Sequence, residues 1–305
     1  MQRACLAIVR VVVCCLAFVL LGQAQVLGAD KVRVAVSIPP QKYLLSRIGG
    51  ERVAVEVLLP PGANPTTYEP KPSQLQNISR VSAYFPIGIP VESAWLDRLR
   101  GVNPDMRIAP MYQGIERFPM PQTYEQALQP GADQDAVSGR GHPDPHIWLA
   151  PPLVRILAQN ARDELIRLDP DNASVYRKNF AELGQSINEL DNELLDLFAD
   201  AENRFFLVFH PAWGYFARAY GLNQVPVKLA GKKLTARRMN RLIRIAGEKD
   251  LRTVFYQPQF SSRPAEQVAA NLDHGEAVGL DPLAADWADN LRECARSIRK
   301  ALDEQ

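Results

Sequence analysis

The chain contains four histidines, His142, His146, His210 and His274, and a side chain that both ligates metals and moves protons is informative when it is this scarce. His210 directly follows the apolar stretch Phe205 to Phe209, and Asp281 follows Ala277 to Leu280. Both stretches read as strands, and in open parallel sheets ligands gather just beyond the carboxyl ends. His146 stands in Asp144-Pro145-His146-Ile147-Trp148, at the end of a long polar segment. Two neutral imidazoles and one carboxylate suit a borderline divalent ion: the nitrogens supply the bonds and the carboxylate offsets charge. Plainer roles are open to the same residues. His210 fits a hydrogen-bonded strand end, and Asp281 fits a helix N-cap before Pro282. His274, in Leu272-Asp273-His274-Gly275, reads as a cation at a helix end.

A site of this kind also occurs in non-haem iron and hydrolytic zinc enzymes. An enzyme needs more parts, and the sequence lacks a His-Glu-x-x-His helix, a Gly-x-Ser-x-Gly elbow and a Gly-x-x-x-x-Gly-Lys loop. Apart from His142 no further histidine is near enough in sequence to act as acid or base, so an enzyme is not expected. The 35 basic and 34 acidic residues leave a net charge of +1, without the excess that nucleic acid or an anionic membrane would call for. Gly231-Lys232-Lys233 with Arg237 and Arg238 reads as a solvated helix face or a docking patch.

The elements that must position these residues are legible as alternating strands and helices. Arg3 and Arg10 precede an uncharged apolar run from Val11 to Leu21, and small residues follow to Ala29, the pattern of a secretory signal peptide over residues 1–29. Cys14 and Cys15 fall inside that apolar run, after Val11, Val12 and Val13, so a lipid anchor is not expected. Past residue 29 only Cys294 remains, which excludes an intramolecular disulfide there. Val32, Val34, Val36 and Ile38 alternate as in a strand, Pro39 to Arg47 reads as a helix ended by Gly49-Gly50, and Val53 to Leu59 reads as a second strand. Strand, helix, strand at this spacing implies a parallel sheet. Phe118 to Pro145, rich in proline, glycine and polar residues, reads as a long exposed loop. Tyr176, Phe180, Leu183, Ile187, Leu190, Leu194 and Leu197 recur at helical steps, predicting a helix from about Asp171 to Asp200, roughly 45 Å long, that could brace two lobes. Alternation then resumes, with strands at Phe205 to Phe209, Thr253 to Tyr256 and Ala277 to Leu280 and helices at Arg237 to Lys249 and Pro264 to Leu272.

Several stretches carry a resemblance. Gly62-Ala63-Asn64-Pro65-Thr66-Thr67-Tyr68-Glu69-Pro70, Asp144 to Leu149, Phe209-His210-Pro211-Ala212-Trp213-Gly214-Tyr215-Phe216, Gln257-Pro258-Gln259-Phe260-Ser261-Ser262 and Leu280-Asp281-Pro282-Leu283 resemble the zinc and manganese solute-binding proteins of ABC importers. The resemblance implies an α/β fold of two Rossmann-like parallel-sheet lobes joined by a long rigid helix, with the ion at their interface. The expected organisation is a signal peptide at 1–29, an N-terminal lobe at 30–148, a helical linker at 149–200 and a C-terminal lobe at 201–305. The resemblance carries metal-ligand roles onto His146, His210 and Asp281. It departs at Thr66, where the family commonly has a histidine; Thr66 then lines the site in that ligand's place, and His142 and Glu69 are the candidate substitutes. The function implied is capture of a divalent ion, zinc first with manganese or iron as alternatives, in the periplasm and its delivery to a membrane permease. A monomer is expected, without nucleic-acid binding or stable membrane insertion once the signal is removed. The competing readings are a metal-free structural or adhesin-like relative and a metal-dependent enzyme.

Overall fold

The computed structural model describes residues 31–121, 123–128, 143–229 and 234–305. The signal-peptide segment, His142 and residues 231–233 lie outside the described residues. Val32–Gln305 forms a single unit by its contacts and contains two separate four-stranded sheets.

The first sheet contains β1 (Val32–Val36), β2 (Val53–Val57), β3 (Ala83–Phe85) and β4 (Arg107–Ile108), all parallel, in the order β2-β1-β3-β4. β1 is central, and Val34, Ala35 and Val36 are each fully buried, as strands covered by helices on both faces require. Helix α1 (Pro39–Gly49) crosses from β1 to β2. It opens on two prolines that suit the first turn, and stops at Gly50, whose φ of 54° a side chain would resist. Helices α2 (Pro72–Ile78) and α3 (Glu92–Val102) complete this lobe.

The second sheet repeats the arrangement. It contains β5 (Phe205–Val208), β6 (Asn223–Pro226), β7 (Thr253–Tyr256) and β8 (Glu276–Gly279), parallel and in the order β6-β5-β7-β8. The short helix α4 (Tyr124–Leu128) precedes this sheet in the chain and packs on β6, with Tyr124 buried and its hydroxyl donating to the Val227 carbonyl at 3.4 Å. The stretch from Phe118 to Pro145 is therefore not wholly an exposed loop. Pro119 pairs with Pro143, and Asp144 is fully buried. Its prolines break the apolar period without removing the buried contacts.

Helices α5 (Pro151–Leu168) and α6 (Ala173–Phe198) pack against each other between the two sheets in sequence. The 26 residues of α6 span about 39 Å. Its buried stripe, Tyr176, Leu183, Ile187, Leu190, Leu194 and Phe198, follows the helical period. One end meets α1, where Asn179 Nδ2 donates to the Ile48 carbonyl at 2.9 Å. The other meets the last helix of the second lobe, whose helices α7 (Gly214–Ala219), α8 (Ala236–Glu248) and α9 (Arg263–Ala269) connect its strands and whose α10 (Trp287–Asp303) follows β8. There Arg292 of α10 bonds Glu193 at 2.6 Å. A single helix thus touches elements from both sheets. Among the described residues no helix is long and apolar enough to cross a membrane.

Candidate metal centre

His146 and His210 come from segments 64 residues apart and meet edge to face, ring centroids 5.3 Å apart. His210 is set just past β5. Its neighbours are held on both sides of the strand: Phe209 N donates to the Phe255 carbonyl of β7 at 2.7 Å, and Lys228 N, just past β6, to the Phe209 carbonyl at 3.0 Å. Behind it Trp213, Tyr215 and Phe216 are buried, so the turn carrying the imidazole rests on packed aromatic rings. Burial, then a charge on His146, then Lys228, push the His210 imidazole down to about 3. At neutral pH it is uncharged and has a lone pair to give.

His146 begins a 3-10 turn, Ile147–Leu149, that leads into α5. Its ring is fixed by Asp144, fully buried, whose Oδ1 lies 2.6 Å from His146 Nδ1 and accepts the His146 backbone N–H at 2.9 Å. A carboxylate oxygen at Nδ1 calls for the proton on that nitrogen, which leaves the Nε2 lone pair for a ligand. Asp144 Oδ2 is buried without a hydrogen-bond partner. Tyr215 donates to the Asp144 carbonyl at 3.1 Å, tying the His146 segment to the turn after His210.

Asp281 follows β8. Its Oδ1 accepts from Leu283 N at 2.8 Å and from Gln259 Nε2 at 2.5 Å, and its carbonyl accepts from Asn290 of α10. Pro282 does not start a helix here; α10 begins only at Trp287, so the capping role that the Asp-Pro pair suggested is not the one taken. The Asp281 turn lies against the His146 segment: Trp148 Nε1 donates to the Pro282 carbonyl and Trp287 Nε1 to the Trp148 carbonyl, each at 2.7 Å. Among the described residues no three or more His, Cys, Asp or Glu side chains converge closely enough to hold one ion. The two imidazoles are paired, and the Asp281 carboxylate is engaged by Gln259 and Leu283.

The remaining candidates lie farther out. Thr66 is exposed, and its hydroxyl and backbone N–H both donate to Asn64 Oδ1, at 2.7 and 2.9 Å. Glu69 is exposed and pairs with Arg98 at 3.2 Å, a local partner sufficient to account for it. His274 is exposed beside Asp273 at the turn before β8, with a positive φ of 49°. Two residues with site contacts carried no role in the sequence reading. Asp144 stands two residues before His146 in a quoted stretch, and Gln259 stands in another, but what either touches depends on loop conformation that periodicity does not encode.

The fold agrees with the comparisons. Residues 34–301 match the family described as the zinc-uptake complex component A, periplasmic, and the chain belongs to that family. It is 26% identical to a manganese-binding lipoprotein, MntA, of Halalkalibacterium halodurans, over 84% of this chain and 83% of that one. It is 25% identical to the high-affinity zinc uptake system protein ZnuA of Bacillus subtilis, over 80% of this chain and 76% of that one. Among solved structures, a zinc-bound deletion mutant of ZnuA superposes with a TM-score of 0.80 at 40% identity, covering 89% of this chain and 98% of that chain. The two parallel sheets and the long helix of this chain match the fold of the ZnuA structure.

Proposed function

We propose that the chain captures a divalent ion, zinc in preference to manganese or iron, as cargo between its two lobes and passes it to the membrane permease of an ABC importer. His146 Nε2, His210 and the Asp281 carboxylate are the ligands, with Thr66 at the rim where relatives place a further imidazole. The observation that carries this reading is the approach of two imidazoles from different segments, one held neutral by burial and the other oriented by a buried carboxylate. Asp281 completes the set through Oδ2, its Oδ1 being engaged by Gln259 and Leu283. Two nitrogens and one carboxylate can be completed by water or a weak neutral donor, which suits release to a transporter better than a closed structural cage. The cargo leaves chemically unchanged, so the protein is not an enzyme. Residues 1–29 direct export to the periplasm, and the exported chain acts as a monomer without a lipid anchor.

Calorimetry with zinc and with manganese on the parent, His210→Ala and Asp281→Ala tests this. Each variant should lose high-affinity binding while keeping the parent's circular dichroism, because both residues follow strands and contribute little to either sheet. In the parent, zinc at a hundredfold excess over its dissociation constant should add about 2.7 kcal/mol to stability by mass action. A parent whose melting is unmoved by any first-row divalent ion refutes metal capture and favours a metal-free structural or adhesive role.

A further inference from the structure

Gln259 is a side chain with an unspent hydrogen-bond acceptor in a place where one matters. It exposes only 9% of its surface, and its Oε1 is buried with no hydrogen-bond partner. The amide orientation is fixed, since Nε2 lies 2.5 Å from Asp281 Oδ1; a flipped amide would set two oxygens against each other. A buried carbonyl oxygen left unpaired is costly, so the position calls for a partner.

The sheet order says which partner. His210 follows β5, Gln259 follows β7 and Asp281 follows β8, and β7 lies between β5 and β8. The registers hold the three strand ends together: Val208 pairs with Phe255, Tyr256 pairs with Gly279, and Leu280 N donates to the Tyr256 carbonyl at 2.8 Å. The β7 turn therefore emerges between the turns bearing the two proposed ligands.

We infer that Gln259 Oε1 is a further ligand of the captured ion beside His210 and Asp281. This rests on the metal-capture reading above. The amide then has two tasks. Its nitrogen holds Asp281 through Oδ1, leaving Oδ2 for the ion, and its oxygen binds the same ion. An uncharged oxygen favours manganese relative to a third imidazole, because harder ions prefer oxygen. The chain thereby becomes less selective for zinc than a site with a third imidazole would be.

Gln259→Met removes both tasks with little change in volume, whereas Gln259→Glu keeps a ligating oxygen and loses the donation to Asp281. Zinc and manganese titrations at one fixed pH, with the visible spectrum of the cobalt(II)-loaded protein as a report on ligand number, separate them. Gln259→Met should bind manganese about tenfold more weakly or worse, lose less for zinc, and change the cobalt spectrum. Gln259→Glu should match or exceed the parent for manganese, because two facing carboxylates share the cation. If Gln259→Glu fails as badly as Gln259→Met, Gln259 acts only by positioning Asp281 and the ligand assignment is wrong. If Gln259→Met matches the parent in affinity and spectrum while His210→Ala abolishes binding, the assignment also fails and metal capture stands. Should the parent bind no ion, both fail together. Melting in chelator verifies that each variant is folded, and an unfolded Gln259→Met leaves the decision to the Gln259→Glu titration and spectrum.

Discussion

Replacing Asp144 by asparagine isolates the buried carboxylate from the fold around it. Asparagine has the same shape and can still accept the His146 backbone N–H at Oδ1, now 2.9 Å long, so the 3-10 turn and the start of α5 are retained. What disappears is the negative charge 2.6 Å from His146 Nδ1. That charge favours the tautomer with its lone pair on Nε2, strengthens Nε2 as a donor and stabilises the positive charge the ring acquires against a cation. Loss of such an outer carboxylate typically weakens metal binding 10–100-fold, or about 1.4–2.7 kcal/mol. Asp144 is fully buried, so solvent cannot screen the effect, and the upper half of that range is expected. Competition titration against a chromophoric zinc chelator at fixed pH measures it. Thermal melting of the metal-free protein, expected to stay cooperative, separates weak binding from unfolding. Zinc affinity within twofold of the parent would refute the orienting role and reduce Asp144 to a packed polar residue.

Three further outcomes follow from the same geometry. A Cβ at Gly214 would stand 2.9 Å from Gln224 Nε2, 3.2 Å from Asp144 Oδ2 and 3.4 Å from the Phe118 ring; Gly214→Ala should cost about 1–3 kcal/mol in urea unfolding and weaken zinc binding by displacing Asp144, and an unchanged variant would show that the pocket yields freely. His210 titrates at about 3 in the fold against 6.5 unfolded. Between these values the unfolded chain holds a proton the folded one lacks, so stability falls as pH drops below 6.5. Urea unfolding of the metal-free protein from pH 7.5 to 4.5 should therefore show His210→Gln losing less than the parent, by on the order of 2 kcal/mol; equal losses would mean that His210 is readily protonated in place. Thr66→His should raise zinc affinity selectively over manganese in competition titrations, provided that the imidazole swings in from the exposed turn that Asn64 now holds; unchanged zinc affinity would show either that residue 66 points away from the ion or that another side chain, Gln259 first, already fills the site.

The parts of this fold legible in the sequence are those whose burial is written in their own residues. Val32–Val36, Val53–Val57 and Thr253–Tyr256 carry the β-branched or aromatic runs of buried strands, and the stripe on α6 keeps its period over the whole helix. The stripe Trp287, Leu291, Cys294, Ile298 and Leu302 of α10 keeps the same period, although no helix is assigned there from the sequence. By contrast β6 reads Asn-Gln-Val-Pro, a poor strand by composition, yet all four residues are buried because β5 pairs with it and Gln224 accepts the Trp213 N–H. β3 and β4, three and two residues long, are too short to show a period and owe their conformation to the neighbouring strand. The site divides along the same line. His210 and Asp281 announce themselves because a rare or charged residue ends an apolar run. Gln259 does not, since its importance comes from β7 lying between β5 and β8, and strand order is a property of tertiary pairing. Asp144 is hidden for a second reason: a carboxylate two residues from a histidine can face solvent, cap a turn or orient the ring. Only the burial of the 144–149 segment, with Tyr215 on the Asp144 carbonyl and Trp287 on the Trp148 carbonyl, selects the last of these.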